Sequence, residues 1–586
     1  MHQREISGDS YPYGLQLILS SLSTATHRGD PIELLDIDPV LKRLKEEIQD
    51  PSFIPDLIKE YLLDNPHKVV LTVKPDAALS SKQNNAEVEK LAAIKAGLSD
   101  TEKQAIVEQS QALEDRQNQD DDASILPKVE LSDVPTEIKW PESATSSIQS
   151  NTDALKTSFF PQGTNGLSYQ QIIVELPELS DSQKNIMPYY ASCLPELGLG
   201  KRSYLDIQGL QASISGGINA HTSMRSSVDS EQELQGYMIL SSKSLYSQQE
   251  QLGQLMYDTL YSCRFDEHQR IKEIVEQICC HKEQSITSQG HALAMGLATS
   301  KMSPISSFNY GYSGLLGIKN LKLLCKDLED ERKLADFAAQ FGDLHDTILQ
   351  GNKQFLLISE AAEQANLNKN LQNIWQNAPS AASSLSQFSL PKMRESVREA
   401  WLTSTQVNFC ASAFPTVSVS HEDSAALTVL GGFLRNGYLH RAIREQGGAY
   451  GGGASQDSSS ASFRFFSYRD PRLSETLNDF EKSIDWLNNN KHQYSQLEEA
   501  ILGVISSLDK PASPAGTAKQ AYFNELFGRS KEQRNEFRQR VLDVSIEKLQ
   551  QVSEKYLSPE KASIGIESNK AAQAELEKLE LSIKYL

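Results

Sequence analysis

The stretch His440-Arg-Ala-Ile-Arg-Glu-Gln-Gly-Gly-Ala-Tyr-Gly-Gly-Gly453 is rich in glycine and carries both a cation and a phenol. Five of the seven residues from Gly447 to Gly453 are glycine, and they surround a single tyrosine, Tyr450. Glycine lets the backbone turn sharply or lie close to another chain, at an entropic cost. Arg444 lies six residues before Tyr450. The pattern predicts a bend, flanked by Arg444 and Tyr450, that another molecule approaches.

Nucleotide-binding motifs and a plain helix end fit this stretch less well. A phosphate-binding loop needs Gly-x-x-x-x-Gly-Lys-Ser/Thr, and neither lysine nor a hydroxyl residue follows at that spacing. A dinucleotide-binding fingerprint follows a strand and opens a helix, whereas the predicted order here is helix, glycines, strand. A cation at a helix C-terminus also suits the helix dipole, which explains Arg444 but not the glycines after it.

The composition indicates a water-soluble protein of several domains. The chain has 586 residues, of which 39% are hydrophobic and 23% charged, a length that predicts roughly four units. The net charge of -20 argues against nucleic-acid binding. No apolar run is long enough for a membrane span, and the start lacks the features of a signal peptide. Six cysteines do not form a disulfide framework, which favours a reducing compartment.

The first 127 residues predict helices, one strand and a linker. Helices are expected at residues 13–23, 40–47 and 53–63, with a strand at residues 68–74. Because one strand cannot form a layer, we interpret residues 1–78 as the tail of a truncated α/β domain. Residues 79–127 predict a helical hairpin linker, with Ser99 or Asp100 as the second N-cap and an exposed loop at Asp120-Asp121-Asp122.

The remaining residues predict two α/β domains, at residues 128–380 and 381–586, separated by a Ser/Ala/Pro-rich segment at residues 378–395. The order of elements recurs without a close sequence repeat. Ser420 and Asp423 predict a capping box for a long helix. Strands are expected at residues 128–131, 168–176, 211–220, 236–242, 354–359, 405–414, 462–468 and 562–567. Helices are expected at residues 183–196, 201–208, 246–260, 266–285, 290–301, 321–341 and 422–443.

The motif Arg444-Glu-Gln-Gly-Gly-Ala-Tyr450-Gly-Gly-Gly-Ala454, followed by Phe466-Ser-Tyr-Arg-Asp-Pro471, closely resembles the C-terminal domain of presequence proteases. These belong to the pitrilysin and insulysin group of zinc peptidases with the inverted motif His-x-x-Glu-His. The resemblance extends in order over nearly the whole chain. Its weaker elements are His67-Lys68, Lys74-Pro-Asp76, Thr164-Asn-Gly166, Gln406-Val-Asn-Phe409 and residues 509–514.

The resemblance implies four related α/β domains in two halves, which a helical hairpin joins and which close around an unfolded peptide. It implies zinc and a catalytic glutamate in the N-terminal half, and a substrate-binding Arg and Tyr in the C-terminal half, here Arg444 and Tyr450. Tyr450 would donate a hydrogen bond to the scissile carbonyl, and Arg444 would hold a substrate carbonyl. The peptide backbone would lie against Gly447, Gly448, Ala449, Gly451 and Gly452, pairing like an added strand.

The chain departs from the family in one respect. None of its eleven histidines lies in His-x-x-Glu-His or His-Glu-x-x-His, so we expect this chain to bind no zinc and to be inactive alone. The expected partners are a zinc-bearing N-terminal half, with truncation favoured over a separate subunit, and an unfolded peptide, with no nucleic acid or membrane. The alternative is a non-catalytic relative that binds peptides or scaffolds a partner. The location would be the cytoplasm of a bacterium or an organelle matrix of a eukaryote.

Three further groups of residues are weaker candidates. One contains metal-binding residue types, but without the Cys-x2–4-Cys spacing of zinc sites: Cys263, Glu267, His268, Cys279, Cys280 and His281. We interpret them as ordinary buried or surface residues. His421-Glu422 stands at a helix start, where capping is the expected role. The serines from 455 to 462 lack the partners of a nucleophilic serine.

Overall fold

The computed structural model describes residues 13–76, 78–117, 125, 127–150, 154–379 and 386–586. Gly14–Val129 form one compact unit, and Glu130–Leu586 belong to another. The loop predicted at Asp120-Asp121-Asp122 lies outside the described residues. Among the helices of these ranges, none combines the length and the apolar character that crossing a bilayer requires.

The unit Gly14–Val129 contains several helices among its described residues. Its helices are α1 (Tyr13–Thr26), α2 (Pro31–Leu35), α3 (Asp38–Glu47), α4 (Phe53–Ile58, continued by a π-helical turn, Lys59–Leu63), α5 (Leu79–Gly97) and α6 (Asp100–Gln117). Ser99 precedes α6 and forms a capping box with Glu102. The Glu102 backbone N–H donates to the Ser99 hydroxyl at 3.3 Å, and the Ser99 N–H donates to the Glu102 carboxylate at 2.8 Å. The two helices predicted for the hairpin are therefore confirmed, with Ser99 as the cap.

The strand predicted at residues 68–74 is wrong. No strand is present among the described residues of this unit. Val69, Leu71 and Val73 are each more than four-fifths exposed. A strand is stabilised by the N–H and C=O groups of a neighbouring strand, and the described part of the unit supplies none. High β-propensity alone therefore does not make residues 68–74 a strand.

The first domain of the larger unit is built on a six-stranded sheet. Its strands are β1 (Ala144–Gln149), β2 (Ala154–Pro161), β3 (Leu167–Glu175), β4 (Asn219–Ser226), β5 (Leu234–Leu245) and β6 (Lys353–Ser359). The spatial order is β1-β2-β6-β3-β5-β4, and β2–β6 is the parallel pair. Asn165 and Gly166 have φ of 54° and 82°, which confirms the turn predicted before β3.

Nine helices among the described residues complete this domain, and they revise three predictions. They are α7 (Asp181–Cys193), α8 (Tyr204–Ile214), α9 (Gln249–Tyr261), α10 (His268–Ser288), α11 (Gly290–Thr299), α12 (Pro304–Ser313), α13 (Leu315–Asp327), α14 (Glu331–Leu349) and α15 (Gln364–Trp375). The strand predicted at residues 128–131 is wrong, since a 3₁₀ turn begins at Leu131. Of the strand predicted at residues 211–220, residues 211–214 are the end of α8, and only Asn219 and Ala220 lie in a strand, β4. The single helix predicted at residues 321–341 is two, because Asp330 caps α14.

The second domain repeats the design of the first. Its strands are β7 (Arg398–Leu402), β8 (Phe409–Pro415), β9 (Gly451–Asp457), β10 (Ser462–Tyr468), β11 (Ser563–Ser568) and β12 (Ser582–Tyr585). Its helices are α16 (Ser424–Leu434, continued by a π-helix, Arg435–Gln446), α17 (Ser474–Asn489), α18 (Tyr494–Leu508), α19 (Pro514–Leu526), α20 (Lys531–Leu542), α21 (Ile546–Tyr556) and α22 (Gln573–Lys578). The spatial order of the second sheet is β12-β7-β11-β8-β10-β9. From the second place onwards, each strand corresponds in chain order to the strand at the same place in the first sheet. The α+β fold with two related domains is thereby confirmed, whereas the predicted domain limits stay predictions.

Helix α11 of the first domain packs against the second sheet. A Cβ added at Gly565 in β11 would lie 2.5 Å from the Ala294 carbonyl oxygen of α11. His291 lies with its ring 4.8 Å from that of Tyr468 in β10. The two domains therefore share an interface in which α11 packs against β10 and β11. Strand β10 in turn pairs with the strand that contains the glycine-rich stretch.

The capping box predicted for Ser420 and Asp423 is wrong. Asp423 makes no side-chain hydrogen bond to the start of α16. Its carboxylate instead accepts from Lys548 and Lys555, each at 2.7 Å, and from the Tyr556 hydroxyl at 2.8 Å. Burial opposes its ionisation, but these three hydrogen bonds outweigh burial and hold the pKa of Asp423 well below its usual range. Asp423 thus links α16 to α21.

We predict that the buried Glu567 carboxyl in β11 makes the free energy of unfolding fall as the pH rises. Burial raises the pKa of this carboxyl to about 8, while the unfolded value is near 4.5. Between these values unfolding releases a proton, so the free energy of unfolding falls with rising pH. Glu567→Gln removes this fall and raises stability at pH 8 and above by on the order of a few kcal/mol. Urea unfolding at a series of pH values measures the effect.

The matched control for this prediction is Glu554→Gln, an exposed carboxylate on α21. It should leave the pH dependence of the wild-type chain unchanged. An identical pH dependence in wild type and Glu567→Gln would show that the buried carboxyl does not titrate in this window.

Candidate functional site

Residues 451–457 form the edge strand β9, which the sequence did not predict. β9 pairs antiparallel with β10 from Gly451 opposite Tyr468 to Asp457 opposite Ser462. In the described sheet nothing pairs with its other edge. A single open edge of this kind presents unpaired N–H and C=O groups to which a further strand can add.

Gly448 and Ala449 form the turn that leads into β9. Gly448 donates its N–H to the Arg444 carbonyl at 3.1 Å, and Ala449 donates to the Ile443 carbonyl at 3.1 Å. Gly448 has a φ of 78°, in the left-handed region that ends many helices. The chain therefore leaves the helix in one tight turn and enters β9 directly after Tyr450.

The surroundings of the individual glycines differ, and so does the reason why each position is glycine. A Cβ at Gly447 would overlap the Arg472 guanidinium, and one at Gly452 would lie 2.9 Å from Ile443. These two glycines allow the helix, strand and loop to pack. A Cβ at Gly451 would meet nothing within 4 Å, so the space beside the first residue of β9 is open. The approach of another chain is therefore supported at Gly451 rather than at all five glycines.

Tyr450 and Arg444 stand side by side in solvent at the start of β9. Tyr450 is 65% exposed, and its backbone N–H donates to the Tyr468 carbonyl at 3.0 Å. Its ring meets the Tyr468 ring edge-to-face at 5.5 Å, and the Arg444 guanidinium lies 5.8 Å from its centre. Among the described residues no side chain hydrogen-bonds to the Tyr450 hydroxyl, and no carboxylate forms an ion pair with the Arg444 guanidinium. Both groups can therefore bind a ligand.

A partly buried polar cluster, which the sequence did not predict, supports this turn. Arg472 donates to the Ala442 carbonyl at 3.3 Å and to the Asp479 carboxylate at 3.1 Å, and its backbone N–H donates to Asp470 at 2.9 Å. The Asn408 and Asp470 backbones exchange two hydrogen bonds of 2.8 Å. Burial raises the pKa of Asp470 despite these hydrogen bonds. The signal was present in the motifs around residues 406–409 and 466–471, but their pairing is a tertiary contact.

The first domain contains an equivalent turn, and comparing the two turns shows which features the fold requires and which occur only in the second domain. The connection between α8 and β4 also contains a left-handed glycine, Gly217, with φ of 89°. When Gly217 is matched with Gly448, Ser213 and Asn219 occupy the positions that Arg444 and Tyr450 hold in the second domain. Both domains thus use glycine to join a helix to an edge strand, and the second alone places a cation and a phenol there.

The weaker candidate groups have structural roles. Glu267 accepts from the backbone N–H groups of Gly198 and Tyr204, at 2.6 and 2.9 Å, and burial raises the pKa of Cys263. His421 accepts at Nδ1 from the Asp423 N–H at 3.0 Å, at the start of α16. In the part of the chain that the structure describes, no three His, Cys, Asp or Glu side chains are grouped so that they could hold a metal ion.

Comparison with known proteins places the chain among the M16 peptidases. Two family models match: the associated domain of peptidase M16, subfamily C, over residues 73–324, and the "PreP C-terminal domain" over residues 398–564. A solved peptidase M16 inactive domain from Pseudomonas fluorescens aligns with a TM-score of 0.51 and 15% identity, covering 76% of this chain and all of that one. At that identity the likeness shows the fold.

The chain belongs to the presequence-protease-like M16 peptidases and corresponds to their C-terminal half. It is 27% identical to the mitochondrial presequence protease of Mus musculus, over 97% of this chain and 57% of that protein. It is 26% identical to the mitochondrial presequence protease of Drosophila melanogaster, over 94% of this chain and 53% of that protein. The chain thus spans about half the length of these relatives.

We predict that alanine substitutions at Gly447 and Gly451 have different effects on stability, because only Gly447 packs closely against other residues. Gly447→Ala should destabilise the chain by about 1–3 kcal/mol, because the new Cβ would displace Arg472. Gly451→Ala should change stability by less than about 0.5 kcal/mol, because its Cβ enters open space. Urea unfolding of both variants measures the difference. Equal losses would mean that Gly451 also packs against the protein.

Proposed function

We propose that this chain is the substrate-binding half of a zinc metalloendopeptidase that degrades unfolded peptides such as targeting presequences. The observation that carries the proposal is the exposed pair of Arg444 and Tyr450 at the open edge of β9. An extended peptide adds to β9 through backbone hydrogen bonds, which need no particular peptide sequence. This mode of binding suits an enzyme for unfolded chains.

Each of the two side chains has one role in the proposed reaction. The Tyr450 hydroxyl donates a hydrogen bond to the scissile carbonyl oxygen as negative charge develops on it, a contribution worth roughly 10²–10³ in rate at comparable sites. The Arg444 guanidinium donates to a neighbouring peptide carbonyl and fixes the register of the peptide on β9. The polar cluster around Arg472 and Asp470 keeps the turn rigid, so that neither side chain must be reoriented during catalysis.

The residues of this chain do not fit a catalytic zinc ion. The sequence has no His-x-x-Glu-His, and the described residues contain no metal-binding group. We therefore assign the metal and the general base to a zinc-bearing N-terminal half, and no proton transfer to this chain. The two presequence proteases compared with this chain are mitochondrial by name, and an organelle matrix or a bacterial cytoplasm is the location proposed here.

The Tyr450→Phe variant tests the catalytic role. We predict that the chain combined with its native zinc-bearing half cleaves a fluorogenic unfolded peptide. In this assay Tyr450→Phe should lower kcat by roughly 10²–10³ with little change in KM. Arg444→Gln should raise KM, because a charge-assisted hydrogen bond to the substrate is lost. The matched control is Tyr494→Phe, another exposed tyrosine of the same domain.

The outcome separates the proposal from the alternative of a non-catalytic relative. If Tyr450→Phe and wild type cleave the peptide equally fast, the hydroxyl does not stabilise the transition state. If the combined halves bind the peptide without cleaving it, the chain is a binding or scaffolding homologue.

A further inference from the structure

A groove of about 490 Å³ lies over helix α11, beside the far end of β9. Helices α10 and α12 form one wall, and Asp457 of β9 with Arg464 of β10 forms part of the other. Ala292, Met295 and Thr299 of α11 lie along its floor. The volume falls within the range of sites that bind small ligands or several side chains.

One face of β9 leads from Tyr450 to this groove. In an antiparallel pair, residues opposite each other lie on the same face of the sheet. His291 of α11 packs on Phe466 and Tyr468, so this face of β10 is turned towards α11. The β9 residues on that face are Gly451, Gly453, Ser455 and Asp457. They form a path of small side chains that ends in a carboxylate beside the groove.

The groove carries cationic groups that lack full partners. The Lys282 ammonium lies 4.0 Å from the Tyr312 ring, and among the described residues no carboxylate pairs with it. Burial lowers the pKa of Lys282 to about 8, which a bound anion would reverse. Arg464 pairs with Asp457 at 3.3 Å through one terminal nitrogen, while its buried Nε has no partner in the described chain. Because this Nε is not accessible from the groove, a ligand there would meet the terminal nitrogens of Arg464 instead.

We propose that the groove over α11 binds a carboxylate of the peptide that lies along β9, with Lys282 and Arg464 as its ligands. This inference rests on the proposed function, since it requires a peptide on the edge of β9. A strand rises about 3.3 Å per residue, so the six steps from Gly451 to Asp457 span about 20 Å. The carboxylate therefore belongs about six residues from the bond held at Tyr450, either as a C-terminus or as an Asp or Glu side chain.

Peptide binding to the full chain, measured by fluorescence anisotropy, tests the inference. Three matched peptides serve as probes: one with a glutamate six residues from a central bond and a free C-terminus, one with glutamine at that position, and one with a C-terminal amide. We expect one of the neutralised peptides to bind about tenfold more weakly, and which one it is identifies the source of the carboxylate. Lys282→Gln or Arg464→Gln should abolish this difference.

The matched control is Lys272→Gln, another lysine of helix α10. The Lys272 ammonium lies 3.8 Å from the Glu276 carboxylate, which follows one helical turn later. This variant should keep the full preference for the charged peptide. The inference is overturned if Lys282→Gln and Arg464→Gln both keep that preference, or if wild type binds all three peptides equally. Absence of any peptide binding, with thermal unfolding unchanged, would instead overturn the proposed function.

Discussion

The ladder between β9 and β10 is the interaction on which the site depends. It fixes the start of β9 opposite Tyr468, whose carbonyl accepts the Tyr450 N–H and whose ring supports the Tyr450 ring. Because β9 has a partner on one side only in the described sheet, its other edge can accept a peptide strand. The same pairing that orders Tyr450 thus leaves the adjacent backbone free. One structural element thus provides both an open strand edge and the support of the Tyr450 ring.

The repeated sheet order explains how such a site arises in one domain and not in the other. Both domains end a helix in a left-handed glycine, at Gly217 and at Gly448, and both continue into an edge strand. These turns are demanded by the connection itself. What differs is chemical: Ser213 and Asn219 in one domain, Arg444 and Tyr450 in the other. The shared fold supplies the position, and the side chains at two matched positions of the second domain supply the cation and the phenol.

The sequence predicted the strongly patterned elements well. Strands β5, β6 and β10 and helices α9, α10 and α11 follow from runs of apolar residues at regular spacing. It did not predict β9, because glycine has low β-propensity and only the pairing with β10 makes residues 451–457 a strand. The predicted strand at residues 68–74 fails for the opposite reason, since its apolar side chains find no partner among the described residues. The motif singled out Arg444 and Tyr450, whose role stays a prediction, while the supporting contacts of Arg472 are tertiary and could not be derived from spacing.

In the function we propose, this chain holds a peptide against a metal that another part of the protein provides. The most direct measurement is a crystal structure of the chain with its zinc-bearing half and an uncleavable peptide. We expect the peptide to pair with β9, and the Tyr450 hydroxyl to lie about 2.7–3.1 Å from the carbonyl oxygen of the peptide bond nearest the zinc ion. A peptide bound away from β9, with the Tyr450 hydroxyl beyond reach of that carbonyl, would show that β9 and Tyr450 do not hold the substrate.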